Sequence, residues 1–408
     1  MSEAGDRHGS AYWLKLKDRA LSVALEGIAI ADARLPDRPL IYVNEGFVRL
    51  TGYSADEVLG RNCRFLQGET SDPDTVETIR RALHEGRDCT VEILNFRKDG
   101  SQFWNRLSIT PVHGDAGEVT HFIAVQSDVT ARREAEDALR RANEQMRRDL
   151  QEAAMIQTAW LPQSLPSVEG FEFAWRFRPC TELSGDSLNV LRLDERTIGL
   201  YILDVCGHGV PAALLSASLN RWLSPVPEQS CLFESDPSRA SGVAPATPAK
   251  VLDTLNHLYH PGPETGKFFT ILYGVLDLQD RSFRYGTAGH PPPVRIDAAG
   301  AHVCPLAKGL PIGVLPDFEY GERVIGLEPG DRLLVYTDGV LEAIDADDRE
   351  LGEQRLLDAL AAGRHLPAAE CLTDMIRKVE AWCPGGKPQD DISMLSLDVV
   401  APEGRAGA

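Results

Sequence analysis

Along this chain the spacing of apolar positions changes rhythm three times, and each rhythm predicts different elements. Over about residues 20–130 the apolar runs are short: LIYVN, then helical patches, then VEILNFRKDGSQFWNRLSI and HFIAVQSDV. The middle stretch predicts a β-hairpin, two runs rich in branched and aromatic residues joined by Lys98-Asp99-Gly100-Ser101. Over residues 131–160 the pattern becomes helical. ARREAEDALRRANEQMRRDLQEAAMIQTAW holds no Gly or Pro, and Leu139, Ala142, Met146, Ala153, Ile156 and Trp160 recur at helical steps, with one gap at Asp149 beside Leu150. Such a segment predicts a long amphipathic helix that pairs as a two-stranded coiled coil, in preference to a lone helix lying on a neighbouring domain; Leu161-Pro162 ends it. From 170 to 400, TIGLYILDV, FFTILYGVLDL, SFRYGTAG, DRLLVYTDGV and ISMLSLDVV predict strands, with helices over PAALLSASLNRWL and around PAKVLDTLNHLY. The polar, proline-rich connection from Pro225 to Pro248 predicts a loose loop, and no internal repeat is present. The resulting division is a helical extension over 1–24, a first domain over 25–130, a linker over 131–161, a second domain over 162–400 and a disordered tail over 401–408.

Composition narrows the class. A chain of 408 residues, 43% hydrophobic and 25% charged, is long enough for two or three domains. No run approaches the ~20 apolar residues of a membrane helix, and MSEAGDRHGS lacks a signal-peptide core, so a cytoplasmic protein without a membrane partner is expected. The net charge of -19 repels phosphate backbones, so no nucleic-acid partner is expected either. Eight cysteines without a CxxC pair predict reduced thiols rather than a zinc site or disulfide framework. Cys63, between Asn62 and Arg64 in GRNCRFLQG, is the one whose setting needs a reason.

Two sets of polar residues carry candidate chemistry. In the hairpin, Val91, Ile93 and Asn95 share one face, and Phe103, Asn105, Leu107 and Ile109 share the facing one; Gln126 lies in line with Phe122 and Ala124. Three amides on apolar faces either tie strands together or meet a planar ligand edge of alternating donors and acceptors. Arg64 and Arg80 are either solvated or forks for a phosphate. The second set is Asp186, Asp204, Asp338 and the pair Asp390-Asp391, all at strand ends or turns. Oxygen ligands gathered this way suit Mg²⁺ or Mn²⁺, yet turn and cap aspartates look the same.

Resemblance adds what spacing leaves open. IYVNEGFVRLTGYSADEVLGRNCRFLQG, IRRAL, EILNFRKDGSQFWNRLSITPV and FIAVQSDVTARR together resemble the light-oxygen-voltage (LOV) photoreceptor domains, a branch of the PAS fold. The resemblance implies bound flavin mononucleotide (FMN) and a light-driven, reversible thioether between Cys63 and the flavin C4a carbon. It places Arg64 and Arg80 on the phosphate, Gln67 along the ribityl chain, and Asn95, Asn105 and Gln126 on the pyrimidine edge, with Asn62 in the same flavin-binding set. Rotation of the Gln126 amide would then rearrange the last strand ahead of the linker helix.

ELSGDSLNV, LYILDVCGHGVPAALLS, FFTILYGVLDL, YGTAGHPPPV, PIGV, PGDRLLVYTDGVLEA and PQDDISML resemble, in order, the metal-dependent type 2C serine/threonine protein phosphatases. Their bacterial, SpoIIE-like branch, which acts on sigma-factor regulators, also has the AMIQTAWLP helix ahead of the catalytic domain. The resemblance implies a four-layer αββα sandwich holding two Mn²⁺ or Mg²⁺ ions. Asp204 would bridge them with help from the Val205 carbonyl, and Asp186, Asp338 and Asp390 (rather than Asp391) would complete the set. A bridging water would attack phosphorus directly. His208 is expected to be structural. There are two departures: Asn189 stands for a frequent aspartate and is expected to weaken an accessory metal, and Ser184 stands for a frequent glycine.

The combined expectation is an α+β multidomain protein: a PAS/LOV fold, a coiled-coil linker and an αββα metal-dependent phosphatase sandwich. It would be a parallel homodimer in which blue light acts through the linker and raises dephosphorylation of a phosphoserine or phosphothreonine protein, such as an anti-sigma-antagonist. Two other readings compete: a light-regulated binding protein with an inactive phosphatase domain, and a redox rather than light sensor at Cys63.

Overall fold

Five antiparallel strands frame the first part of the molecule: β1 (Gly27–Asp32), β2 (Leu40–Val43), β3 (Cys89–Phe96), β4 (Gln102–His113) and β5 (Val119–Asp128), in the order β2-β1-β5-β4-β3. They belong to a computed structural model that describes Tyr12, Leu16, residues 19–259 and residues 266–400. The helical extension expected over 1–24 falls mostly outside the described residues, although 19–23 are helical, and the tail expected over 401–408 lies outside them. The chain separates into two units, Met1–Gln145 and Met146–Ala408, and its architecture is α+β and multidomain.

In the first unit, helices Glu45–Thr51, Ala55–Val58 and Pro73–Glu85 and the short 3₁₀ helix Cys63–Leu66 accompany the sheet. Phe47, Val58 and Leu66 pack on Ala29 and Leu40, while Ile79 and Ala82 pack on Ile93, Ile109 and Phe122. Each fully buried side chain of this size contributes ~1.5–3 kcal/mol. Asn44 starts the first helix: its Oδ1 accepts the Phe47 N–H at 2.8 Å and the Ile28 N–H at 2.7 Å. Two residues on, glycine is required, because a Cβ on Gly46 would sit 2.2 Å from the Glu26 carbonyl oxygen. In the hairpin Ile93 faces Asn105 and Asn95 faces Phe103, so the two asparagines are diagonal neighbours rather than a directly opposed pair.

Helix Thr130–Thr158 is continuous over 29 residues. Its start is fastened to the hairpin: the Trp104 N–H donates to Thr130 Oγ1 at 2.8 Å, and the Arg133 guanidinium lies 3.9 Å over the Trp104 ring. Arg132 and Arg133 also pair with Glu92, at 2.5 and 2.7 Å. Leu139, Met146 and Ile156 are 64%, 62% and 59% exposed. Trp160, expected within the helix, lies beyond its end. The chain tightens to i−3 bonds at Trp160 and Leu161, because the residue before Pro162 is disfavoured in helical geometry. Among the described residues no helix is long and apolar enough to cross a membrane.

The second unit is two five-stranded antiparallel sheets face to face. One is ordered β15-β12-β11-β8-β7, from β7 (Ser187–Arg192), β8 (Thr197–Val205), β11 (Phe269–Asp277), β12 (Ser282–Ala288) and β15 (Arg323–Gly326). The other is β14-β13-β16-β17-β6, from β6 (Phe171–Arg178), β13 (Val294–Asp297), β14 (Gly300–Val303), β16 (Arg332–Tyr336) and β17 (Ile392–Val399). Leu188, Leu200 and Ile202 meet Leu333, Val335 and Leu395 between the sheets. Helices Val210–Trp222 and Pro248–Leu258 cover the outside of the first sheet, and Gly352–Ala362 and Ala368–Trp382 cover the second, giving four layers, αββα. Strands covered on both faces read as unbroken apolar runs, which is why TIGLYILDV does not alternate. The connection expected to be loose carries a small hairpin, β9 (Phe233–Ser235) with β10 (Val243–Pro245).

Candidate functional site

A cavity of about 190 Å³ opens in the first unit, bounded by Cys63, Asn95, Asn105 and Gln126 inside and by Arg64 and Arg80 at its rim. Cys63 begins its 3₁₀ helix, and Asn62 caps that turn: its Oδ1 accepts the Arg64 N–H at 3.0 Å and its Nδ2 donates to the Asp37 carbonyl at 2.5 Å. Both ends of the Asn62 amide therefore hold the backbone that carries the thiol. Enclosure by the cavity walls pushes the thiol up to about 11, against the opposing effect of Gln126. Gln126 Nε2 lies 3.8 Å from the sulfur.

The three amides form one connected chain. Asn105 Nδ2 donates to Asn95 Oδ1 at 2.9 Å and to Gln126 Oε1 at 3.0 Å. Asn105 Oδ1, although buried, has no partner. An orphaned buried acceptor costs ~1–3 kcal/mol unless a ligand donor reaches it, so the pocket fits a planar donor–acceptor edge such as that of FMN. At the rim Arg64 pairs with Asp37 at 2.6 Å and Arg80 with Glu77 at 2.5 Å, all four side chains being exposed. Exposed pairs of this kind contribute little and can be exchanged for a phosphate. Gln67 closes the 3₁₀ helix and lines the cavity. Arg38 lines it too, at a φ of 48°, which no sequence pattern had singled out.

The second site lies at one end of the sandwich. Leu203 and Val205 pack under the helices, so strand alternation turns Asp204 toward the opposite sheet. Ser187 pairs with Leu203, which brings Asp186 beside Asp204. Asp338 follows β16 and Asp390 precedes β17, so carboxylates from both sheets converge. Burial, then the charges of Asp338 and Asp390, pushes Asp204 up to about 7. Asp186 is raised well above the usual carboxylate range, by burial first and the charges of Asp204 and Asp391 second. Burial also raises Asp338 and Asp390. Among the described residues none of these four carboxylates takes part in a salt bridge. His208, expected to be structural, is near enough for its charge to favour the ionised form of Asp390.

Asp186 Oδ2 accepts the hydroxyls of Thr337 at 3.0 Å and Ser393 at 2.6 Å, while Oδ1 is buried without a partner. An unpartnered carboxylate oxygen in an acidic cluster without a salt-bridge partner among the described residues fits divalent metal ions, which would neutralise the cluster. The Asp390-Asp391 ambiguity has a geometric side: both Asp391 oxygens are occupied by backbone, accepting the Cys180 N–H at 2.8 Å and the Gly185 N–H at 2.9 Å. Asp390 accepts the Asp391 N–H at 2.8 Å and is half-buried. The Val205 carbonyl faces the same loop, 2.7 Å from where a Cβ on Gly185 would stand, so only glycine fits there.

Asn189 is not part of this cluster. It pairs with Tyr201 and, lying between the inter-sheet residues Leu188 and Val190, projects to the helix side of the sheet. The expectation that it weakens a metal is corrected by strand parity: three residues from Asp186 is the wrong face. Ser184 is fully buried, and its Oγ accepts the Asp186 N–H at 3.0 Å, so it supports the aspartate rather than disturbing it. Sequence reading also passed over Thr337, Ser393, and the pair of half-buried Thr270 and buried His290. Thr270 Oγ1 and His290 Nδ1 are 2.8 Å apart, Thr270 faces Asp204 across the ladder, and burial holds His290 down to about 3, hence neutral. The signal for all four was their place inside the quoted motifs, next to or across from the aspartates. Cys180 Sγ and oxygens of Asp390 and Asp391 lie within 4.8 Å of one another, and the thiol is pushed up to about 12 by burial and those charges.

Comparison with known proteins agrees with both halves. The sequence model of stage II sporulation protein E (SpoIIE) matches residues 194–400, just over half of the chain, and that of the PAS domain matches residues 25–131. A blue-light-activated histidine kinase of Rhizobium johnstonii is 50% identical over 109 residues, 27% of this chain and 32% of that protein. One from Brucella anthropi is 52% identical over 101 residues, 25% of this chain and 21% of it. The chain thus spans a third or less of the length of the curated relatives it matches. A solved LOV domain from a blue-light activated histidine kinase of Erythrobacter litoralis is 42% identical, covering 26% of this chain and 96% of that one, with a TM-score of 0.25. The chain belongs to the SpoIIE family, with a LOV-type PAS domain joined ahead of its phosphatase-family domain.

Proposed function

We propose that the protein is a blue-light-regulated, metal-dependent protein serine/threonine phosphatase. The observation that carries this reading is the convergence of Asp186, Asp204, Asp338 and Asp390 at one end of the sandwich, all raised by burial first and three of them by neighbouring carboxylates as well, with no salt-bridge partner among the described residues. Two Mn²⁺ or Mg²⁺ ions held there, with the Val205 carbonyl, would supply charge neutralisation and a nucleophilic oxygen for attack on a phosphoester. The chain's own part is to hold those ligands in place: Thr337 and Ser393 fix one oxygen of Asp186, and Asp391 anchors the loop before it.

In the LOV pocket, FMN would supply blue-light absorption and an electrophilic carbon within reach of the Cys63 sulfur. Gln126 joins the thiol to the strand that leads into helix Thr130–Thr158, and rotation of its amide exchanges a donor for an acceptor at the ligand edge. A thiol held near 11 is almost wholly protonated and a poor redox sensor, which favours the light reading. The inactive-binder reading rested on Asn189, and the position of that residue beside Tyr201 withdraws its support. Exposed Leu139, Met146 and Ile156 support a parallel homodimer through the long helix. The substrate is proposed to be a phosphoserine or phosphothreonine on a sigma-factor regulator such as an anti-sigma-antagonist, encountered in the cytoplasm, where the eight free cysteines stay reduced.

The test is hydrolysis of an aryl phosphate, and of a phosphoserine protein, by the purified full chain with and without Mn²⁺, in darkness and under blue light. A Mn²⁺-dependent rate that rises on illumination is expected. Absence of metal-dependent turnover on both substrates would sink the proposal.

A further inference from the structure

Gln157 is the buried residue of helix Thr130–Thr158 and sits in its last turn, 8% exposed. A buried amide has to find partners for its polar atoms, and this one finds both on the backbone of a single residue on another segment. Its Nε2 donates to the Ser184 carbonyl at 2.6 Å, and its Oε1 accepts the Ser184 N–H at 3.1 Å. Ser184 in turn accepts the Asp186 N–H on its Oγ at 3.0 Å. The loop from Cys180 to Asp186 thus hangs from two forks. Asp391, at the mouth of β17, holds Cys180 and Gly185; Gln157 holds Ser184.

The two forks differ in what stands behind them. Asp391 leads directly into a central strand of the sandwich. The turn that carries Gln157 follows half-buried Ala153 and Ala154 and exposed Met155 and Ile156. Small side chains give that turn little apolar grip before the chain reaches Leu161 in the inter-sheet core, so the amide fork is the turn's own polar attachment. A rotation or shift of the turn therefore moves Ser184, and with it the backbone of Asp186.

We propose that Gln157 is a positioning residue for Asp186, through which the linker helix sets the divalent-metal affinity of the phosphatase-family domain. The proposal rests on Asp186 serving as a metal ligand. Asp186 Oδ2 is held from the opposite sheet by Thr337 and Ser393, and Oδ1 is unpartnered. With the carboxylate held at one end, the backbone held by Ser184 decides where Oδ1 points.

The experiment is Mn²⁺ binding by calorimetry on the full chain, dark and lit, alongside melting temperature and the Mn²⁺ dependence of aryl phosphate hydrolysis. Gln157→Met keeps length and removes both hydrogen bonds; Gln157→Glu keeps an acceptor for the Ser184 N–H and loses the donor. Leu161→Ala removes a buried apolar neighbour of the same segment and leaves the fork intact. Gln157→Met is expected to raise the Mn²⁺ Kd roughly 10-fold, as loss of outer-shell partners does elsewhere, and to bring dark and lit affinities together. Gln157→Glu should fall between it and the parent, and Leu161→Ala should lower Tm with the Kd little changed. An unchanged Kd in both Gln157 variants, or a light difference that survives in them, would overturn the proposal. If the parent chain itself bound no Mn²⁺, the metal reading would fail first, and that result is separate from parent binding that ignores Gln157.

Discussion

In the first unit's pocket the buried polar groups are neutral amides that satisfy one another, Asn105 donating to both Asn95 and Gln126. At the second unit's site they are carboxylates raised by burial and by one another's charge, with Asp204 brought to about 7. The amide pocket keeps its shape by its own hydrogen bonds and leaves one orphan acceptor, Asn105 Oδ1, for a ligand to read. The aspartate cluster is held by its surroundings against its own repulsion and is relieved only by protons or cations. A pocket of the first kind selects a ligand by pattern, and one of the second kind selects it by charge. The same contrast separates what each site loses when a member is removed.

The largest effect belongs to the charged site. Asp204→Asn is expected to lower Mn²⁺-dependent hydrolysis about 1,000-fold, ~4 kcal/mol in the barrier, because the central carboxylate is lost; steady-state rates on an aryl phosphate measure it. At the neutral site, Cys63→Ala should leave flavin bound, since the amides remain, while dark and lit phosphatase rates become equal. Persistence of a light effect in that variant would move the light chemistry off Cys63.

How much of this was legible beforehand depended on whether a residue's partner was a motif or a piece of backbone. The aspartates, Cys63 and the three amides stood in quotable stretches, and Thr337 and Ser393 stood near Asp338 and Asp391 in sequence although they serve Asp186. Asn189 misled because a count of three along a strand, ~10 Å, ends on the opposite face. Trp160 misled because the helix closes at Thr158, two residues sooner than its apolar rhythm, as the chain prepares for Pro162. The hairpin of Phe233–Ser235 and Val243–Pro245 was hidden by strands of three residues in polar, proline-rich company. Gln157 carried no signal at all, since its partners are the backbone N–H and carbonyl of residue 184, which any residue but proline would present.

The two sites should also answer mutation with opposite signs of stability in metal-free protein. Asn105→Ala leaves Asn95 and Gln126 without their shared donor and is expected to destabilise the first unit by ~1–3 kcal/mol. Asp204→Asn removes a repelled charge and should stabilise the second unit at about pH 8, by on the order of 2 kcal/mol. Denaturation followed separately for each unit, in chelator, checks both. Equal signs would mean that the clusters do not differ as described.

The pH dependence of that second gain is the finest test. Asp204 is raised from 3.8 in the unfolded chain to about 7 in the fold, so folding favours its protonated form. Its contribution to stability is therefore fully present below 3.8 and is lost as pH rises through about 7. Subtracting the wild-type melting temperature from that of Asp204→Asn cancels groups common to both, including neutral His290, which titrates in the opposite sense. The difference should be small at acid pH, grow through neutrality and level off above it. Saturating Mn²⁺ should reverse its sign, because the wild-type carboxylate then has cations to face and the asparagine does not. A difference that ignores pH would show that Asp204 is ionised without strain, and the charged site would then be no hungrier for cations than the amide pocket.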